Sequence, residues 1–115
     1  MSLKIKRIYE EAKKSDGYRI LVDRLWPRGI AKEEAQLNEW TKDLAPSTAL
    51  RKWFNHQPER FEEFTNRYKT ELASQKDEIK RLKDLAKKQT ITLVYSTKAT
   101  KHNHAIVLLD ILQSK

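Results

Sequence analysis

The sequence predicts an α/β fold, a small and mostly parallel sheet flanked by helices in a single layered domain over residues 1–115. Three observations predict it. Runs with strand character occur at 3–8, 18–22 and 91–95, while apolar residues recur at helical spacing between the second and third of them. The resulting order, two strands, a mixed segment, three helices, a strand and a last helix, is the interleaving that gives parallel layers. A length of 115 residues suits one domain burying about two-thirds of its unfolded surface.

The elements follow in order. Leu3-Lys4-Ile5-Lys6-Arg7-Ile8 alternates apolar and basic residues, as a half-buried strand does. Ser15-Asp16-Gly17 is turn chemistry, with a glycine free to adopt positive φ. Tyr18 to Val22 is more uniformly apolar, which predicts a more central strand, and Pro27 with Gly29 closes the segment after it. Residues 30–46 fit two descriptions. Lys32 to Gln36 suits a helical turn, Leu37 to Leu44 a short strand or a second turn, with Trp40 as a core anchor.

Pro46-Ser47-Thr48 starts a helix, because a hydroxyl there accepts from the free N–H groups of the first turn. Leu50, Trp53 and Phe54 give that helix one apolar face, and Asn55-His56-Gln57 ends it before Pro58 opens the next. Phe61, Phe64, Tyr68 and Leu72 keep the helical period, as do Ile79, Leu82, Leu85 and Ala86 after a break near Ser74, where a serine cap is expected. Ile91 to Tyr95 is the best strand, apolar on both faces, and the Leu-rich run from His104 to Gln113 predicts a buried helix.

Composition narrows the function classes. Charged residues are 35% and hydrophobic residues 38%, yet three Trp, four Tyr and three Phe in periodic segments argue against disorder. No apolar stretch nears the ~20 residues of a membrane span, and the N-terminus lacks a signal-peptide core, so a cytoplasmic protein without membrane partners is expected. There is no cysteine, which removes disulfides and thiolate metal sites and fits a reducing compartment. The net charge of +8 invites polyanions, but the excess Lys is scattered, and much of it, at Lys76, Lys80, Lys83, Lys87 and Lys88 with Arg81, is interleaved with Asp77, Glu78 and Asp84. Mixed-sign helix faces are usually solvated.

Two strand-to-turn junctions carry chemistry. In Asp23-Arg24-Leu25-Trp26-Pro27-Arg28-Gly29, two arginines straddle a stiff turn, and a guanidinium fork suits phosphate or carboxylate. The structural alternative pairs an Arg with Asp23 or Glu33 while Trp26 fills the core. In the second junction, Ser96-Thr97-Lys98 follows the last strand and His102-Asn103 precedes the last helix, whose free N–H groups and dipole favour an anion. Asn103 and Thr100 also serve as plain helix caps. His56, His102 and His104 lack the neighbouring Cys, Asp or Glu of a metal site, and with only two glycines no phosphate loop or dinucleotide fingerprint exists. No metal and no cofactor is expected. His102 and Asp23 are the proton-transfer candidates, since imidazole titrates near neutrality.

At these residues the chain resembles a bacterial family known as domain of unknown function 488, in its YeaO-like branch. The resemblance runs through Gly17 to Gly29, then Ala45-Pro46-Ser47-Thr48, Leu50 to Phe54, His56 and Pro58 to Phe61, and finally Thr92 to Ser96, Lys98 and His102 to Ala105. It implies a compact α/β domain in small cytosolic proteins of no established activity. Longer members of the family carry cysteines near the last strand and helix, where this chain has Ser96 and Asn103, so their thiol chemistry is not expected here. The resemblance adds Ser47, Arg51 and His56 as contributors to the site.

The expected function is an enzyme or binding protein for a phosphorylated or otherwise anionic small molecule. Arg24 and Arg28 would grip the anion beside Trp26, and Lys98, Ser96 and Asn103 would complete the cradle with Ser47 and Arg51. A nucleic-acid-associated protein using Trp26 for stacking is the second reading, and an interaction module with internal ion pairs the third. All three turn on whether the two junctions meet at the carboxyl ends of adjacent strands, where α/β sheets place ligands.

Overall fold

Strands β1 (Leu3–Arg7), β2 (Tyr18–Leu21), β3 (Glu39–Trp40) and β4 (Ile91–Tyr95) pair in the order β1-β4-β2-β3 in the computed structural model, which describes residues 2–114. Every pairing is parallel, so the sheet is wholly rather than mostly so. β4 lies between β1 and β2, with Leu3 beside Ile91 on one side and Tyr18 beside Ile91 on the other. All five of its residues are buried, as its two-faced apolar sequence requires.

The helices are α1 (Lys32–Ala35), α2 (Thr48–Phe54), α3 (Phe61–Leu72), α4 (Lys76–Lys88) and α5 (His104–Gln113). Side chains alternate across each strand, so Ile20, Val22, Ile91, Leu93 and Tyr95 face one way and join Leu50, Phe64, Tyr68, Leu82 and Leu108 from α2 to α5. Leu21 and Val94 face the other way, toward Ala35 of α1, Ile8, Trp26 and Trp40. The connections β1→β2 and β2→β3 run one way along the sheet and β3→β4 runs back, so right-handed crossovers put α1 on one face and α2 to α4 on the other, where their core residues lie.

Residues 30–46, open to two descriptions from sequence, hold both. α1 is one turn, β3 is a two-residue edge strand, and a short 3₁₀ turn spans Lys42–Leu44. Ser47 caps α2 by accepting from the Leu50 N–H at 3.1 Å. The break between α3 and α4 falls at the 3₁₀ turn Ala73–Gln75, but Ser74 does not cap α4. Its hydroxyl donates to the Glu71 carbonyl, back into α3.

The face opposite the large helices contains a buried ionic cluster. Asp16 accepts from Arg19 Nη1 at 2.6 Å, from Lys6 Nζ at 2.8 Å and from the Lys13 N–H at 3.0 Å. Arg19 is itself buried and spends its remaining donors on the Ala35 carbonyl. Burial alone would raise the Asp16 carboxyl, but these donors outweigh it and lower it from 3.8 to about 2. A depressed carboxyl adds stability that is complete above its unfolded value and is lost as pH falls through its folded value. Asp16 therefore contributes about 2 kcal/mol near neutrality, lost between about pH 4 and pH 2. Urea unfolding of Asp16→Asn should start from a lower stability and change less over that window than the parent. An equal acid response in both proteins would remove Asp16 from the account.

Candidate functional site

The two polar junctions meet. They leave the carboxyl ends of the adjacent strands β2 and β4, and Asp23 bridges them. Asp23 Oδ2 accepts from the Ser96 hydroxyl at 2.5 Å and from the Ser96 N–H at 3.1 Å. Arg7, at the end of β1, ties down the same loop by donating to the Thr97 and Ser96 carbonyls. Strand register thus brings residues 73 positions apart into hydrogen-bonding distance.

Above this bridge opens a cleft of about 210 Å³. Asp23, Ser96, Asn103 and His104 line its inner part, and Trp26, Pro27, Phe54 and Phe64 give it apolar walls. Arg24, Arg28, Arg51, His56 and His102 supply its cationic or protonatable groups, and Asp23 is the one carboxylate among the described lining residues. Ser47 and Lys98, expected in the site, are not on its walls. The Ser47 hydroxyl donates to Glu71 Oε2 at 2.6 Å while also capping α2, a structural use of both its functions. Lys98 is exposed on the loop before α5 and is not among the described lining residues.

Arg24 is not the free clamp that the sequence suggests. Its Nε and Nη2 donate to the Pro46 and Ala45 carbonyls, joining the Asp23 turn to the loop that enters α2. Nor is it the partner of Asp23 or Glu33. Its charge borders the cleft while most of its fork is committed to backbone. Arg28 and Arg51 are exposed, and no side-chain hydrogen bond holds either among the described residues. Trp26 is half-buried, packs edge-on against Trp40 at 5.5 Å and donates to the Ile30 carbonyl, so its ring is a wall rather than a stacking platform.

The histidines are placed by aromatic neighbours. His102 meets the Phe61 ring edge-on at 5.1 Å, and His104 meets Tyr68 at 6.4 Å. His104 Nε2 lies 3.0 Å from Asp23 Oδ1. Among the described residues, however, neither buried atom has a well-aligned hydrogen-bond partner. The contact is therefore mainly electrostatic. Burial raises the Asp23 carboxyl, but His104 and the two Ser96 donors pull it below the usual carboxylate range. Asp23 thus holds Ser96 and lies against His104, fixing the loop after β4 over the end of β2. The carboxylate sits between the hydroxyl and the imidazole, whereas a nucleophilic serine needs the imidazole between itself and the acid. Ser96 is thus not activated.

His56, which the resemblance added to the site, lines the cleft. It follows Asn55 at the end of α2, and both have positive φ, 54° and 47°. Asn55 in that conformation is an ordinary helix terminator, but a second consecutive non-glycine residue is less common. This pair of residues turns His56 toward the cleft. Arg7 gave no local signal at all, because its role depends on a loop 90 positions away.

Comparison with known proteins places the chain in a family. The chain is 54% identical over 114 residues to the uncharacterised protein YeaO of Escherichia coli, covering 99% of each chain. It is 41% identical over 113 residues to the uncharacterised protein Rv3073c of Mycobacterium tuberculosis, covering 98% of this chain and 95% of that one. No solved structure matches it significantly. A family profile described as the inactive DUF488-N3 subclade matches residues 2–115, and the chain belongs to that family.

Proposed function

We propose that this protein binds a small anion carried on an apolar body and does not convert it. The observation that carries the reading is the lining of the cleft, where three arginines and two exposed histidine-bearing turns surround a single carboxylate already engaged by Ser96 and His104. An anion entering there meets uncompensated positive charge. The N-terminus of α5 adds its dipole at the inner end, with Asn103 as cap accepting from the Ile106 N–H. Trp26, Phe54 and Phe64 supply apolar surface for the rest of the ligand. The volume is below the ~300–1,000 Å³ of drug-sized sites, which favours a ligand of about one ring.

Several features support binding without turnover. There is no cysteine, the hydroxyl of Ser96 is spent on a carboxylate, and the family description is of an inactive subclade. The absence of cysteine also fits a reducing cytoplasmic setting. The half-buried, hydrogen-bonded Trp26 weighs against a nucleic-acid reading based on stacking.

Calorimetric titration with inorganic phosphate and phenyl phosphate is the test. Phenyl phosphate is expected to bind more tightly, and the double substitution Arg28→Ala with Arg51→Ala should weaken it about tenfold or more. Binding that disappears in moderate salt while random oligonucleotides bind in low salt would favour nucleic acid instead. Release of 4-nitrophenol from its phosphate ester above background, lost on Ser96→Ala, would overturn the non-catalytic half of the reading.

A further inference from the structure

A second feature lies away from the cleft, on α4. In sequence its lysines look interleaved with acids, but the helix sorts them by face. Lys76, Lys80, Lys83 and Lys87 recur at i, i+4, i+7 and i+11, which keeps all four within a stripe about 60° wide. Glu78 is turned away and held by Arg81, which also pairs with Glu39. Asp77 and Asp84 border the stripe along one edge, and of the two only Asp84 reaches a lysine, Lys87, at 3.7 Å. Among the described residues, Lys76, Lys80 and Lys83 form no ion pair, and neither does Lys69 on the neighbouring α3.

Beside this stripe runs a groove of about 460 Å³ between α3, α4 and α5. Leu72, Ile79 and Ile111 form its floor, and Lys69, Lys76, Lys80 and Lys83 stand around it. No carboxylate is among the described lining residues. A neighbouring hollow shares Lys80 and Lys83 with it and is lined further by Leu3, Lys87 and Leu112, with Asp84 as its one carboxylate among the described lining residues. An aliphatic trough walled by ammonium groups on long flexible stems has an obvious complement, a rod with apolar side chains along one edge and carboxylates beside them.

We propose that this groove docks an acidic amphipathic helix of a protein partner. The apolar ridge of that helix rests between Ile79 and Ile111, and its carboxylates meet the lysines of α3 and α4. The alternatives fit less well. Leu72 is buried and Ile79 and Ile111 are half-buried, and the exposed large apolar side chains among the described residues, Tyr9 and Leu25, lie at the carboxyl edge of the sheet, so the groove projects no apolar side chain into a bilayer. A nucleic acid would use the ammonium groups but leave the aliphatic floor uncovered, and no aromatic side chain is among the described lining residues to stack on bases.

The probe is a fluorescent synthetic peptide of about 14 residues, long enough at ~1.5 Å per residue to lie along α4, with leucines on one face and glutamates on the other. A scrambled peptide of the same composition isolates shape from bare charge. The patterned peptide should bind the intact protein saturably in fluorescence anisotropy, about tenfold or more tightly than the scrambled one. Lys76→Glu with Lys83→Glu should weaken it at least about tenfold, leaving thermal unfolding and phosphate binding at the cleft unchanged. Equal affinity for both peptides overturns the proposal, as does indifference to the two substitutions. Preferential binding of oligonucleotides or of phosphatidylserine vesicles at the same ionic strength overturns it as well.

Discussion

Replacing Asp23 with alanine is expected to cost about 3 kcal/mol of stability and to abolish anion binding in the cleft. The carboxylate accepts from the Ser96 hydroxyl and N–H and lies against His104, all in a largely buried setting. Truncation leaves both Ser96 donors without their protein acceptor and His104 without its facing charge, and an orphaned buried donor costs about 1–3 kcal/mol. The loops after β2 and β4 also lose the bridge that holds the cleft walls in place. Asp23→Asn retains an acceptor for Ser96 but removes the charge opposite His104, so it should fall between parent and alanine variant. Because the folded carboxyl lies below its usual range, its contribution is present above the ordinary carboxylate value and is lost as pH falls through the depressed one. Urea unfolding of the three proteins near neutrality, alongside phosphate titrations, checks the order. A loss below about 0.5 kcal/mol for the alanine variant would mean that desolvation of the carboxylate offsets its bonds.

The second large effect is expected at Gly17. Its φ is +66°, and a Cβ built there would lie 2.4 Å from the Thr90 carbonyl oxygen. That oxygen cannot move cheaply, because it accepts from the Tyr18 N–H at 2.9 Å at the point where β2 joins β4. Gly17→Ala thus combines an unfavourable conformation, about 1–2 kcal/mol, with a backbone clash of about 1–3 kcal/mol. A total near 3 kcal/mol should lower the melting temperature by about 10 °C. Gly29 provides the control. It also has positive φ, at 78°, but nothing lies within 4 Å of its Cβ position, so Gly29→Ala should cost only the conformational part. Equal losses at the two glycines would show that contact with Thr90 is immaterial.

Local pattern exposed much of this molecule. β4 announced itself through five consecutive apolar and β-branched residues, and α2 through Ser47 and the Leu50, Trp53, Phe54 spacing. Both signals arise within a few residues of one another, so they survive without knowledge of the fold. The segment from 30 to 46 did not, because a one-turn helix and a two-residue edge strand are too short for any period to develop. Ser74 failed for a related reason. A hydroxyl near a helix junction can serve either helix, and the actual geometry decided for α3. At the site, the Asp23 turn and the loop after β4 were visible as unusual polar clusters. Whether Arg24 was a clamp or a brace depended on where the carbonyls of Ala45 and Pro46 would lie.

Sequence alone determined which residues prefer helix or strand, which faces are apolar, and that cationic groups gather after the second and last strands. These properties follow from side-chain chemistry and short-range spacing. Tertiary structure alone decided the strand order that sets β4 beside β2 and so brings Ser96 to Asp23. It also decided that Ser47 and Lys98 lie off the cleft while His56 and His104 lie on it. Distances between segments some seventy residues apart depend on which strands pair, and pairing is settled by the packing of the whole core rather than by any one stretch of chain.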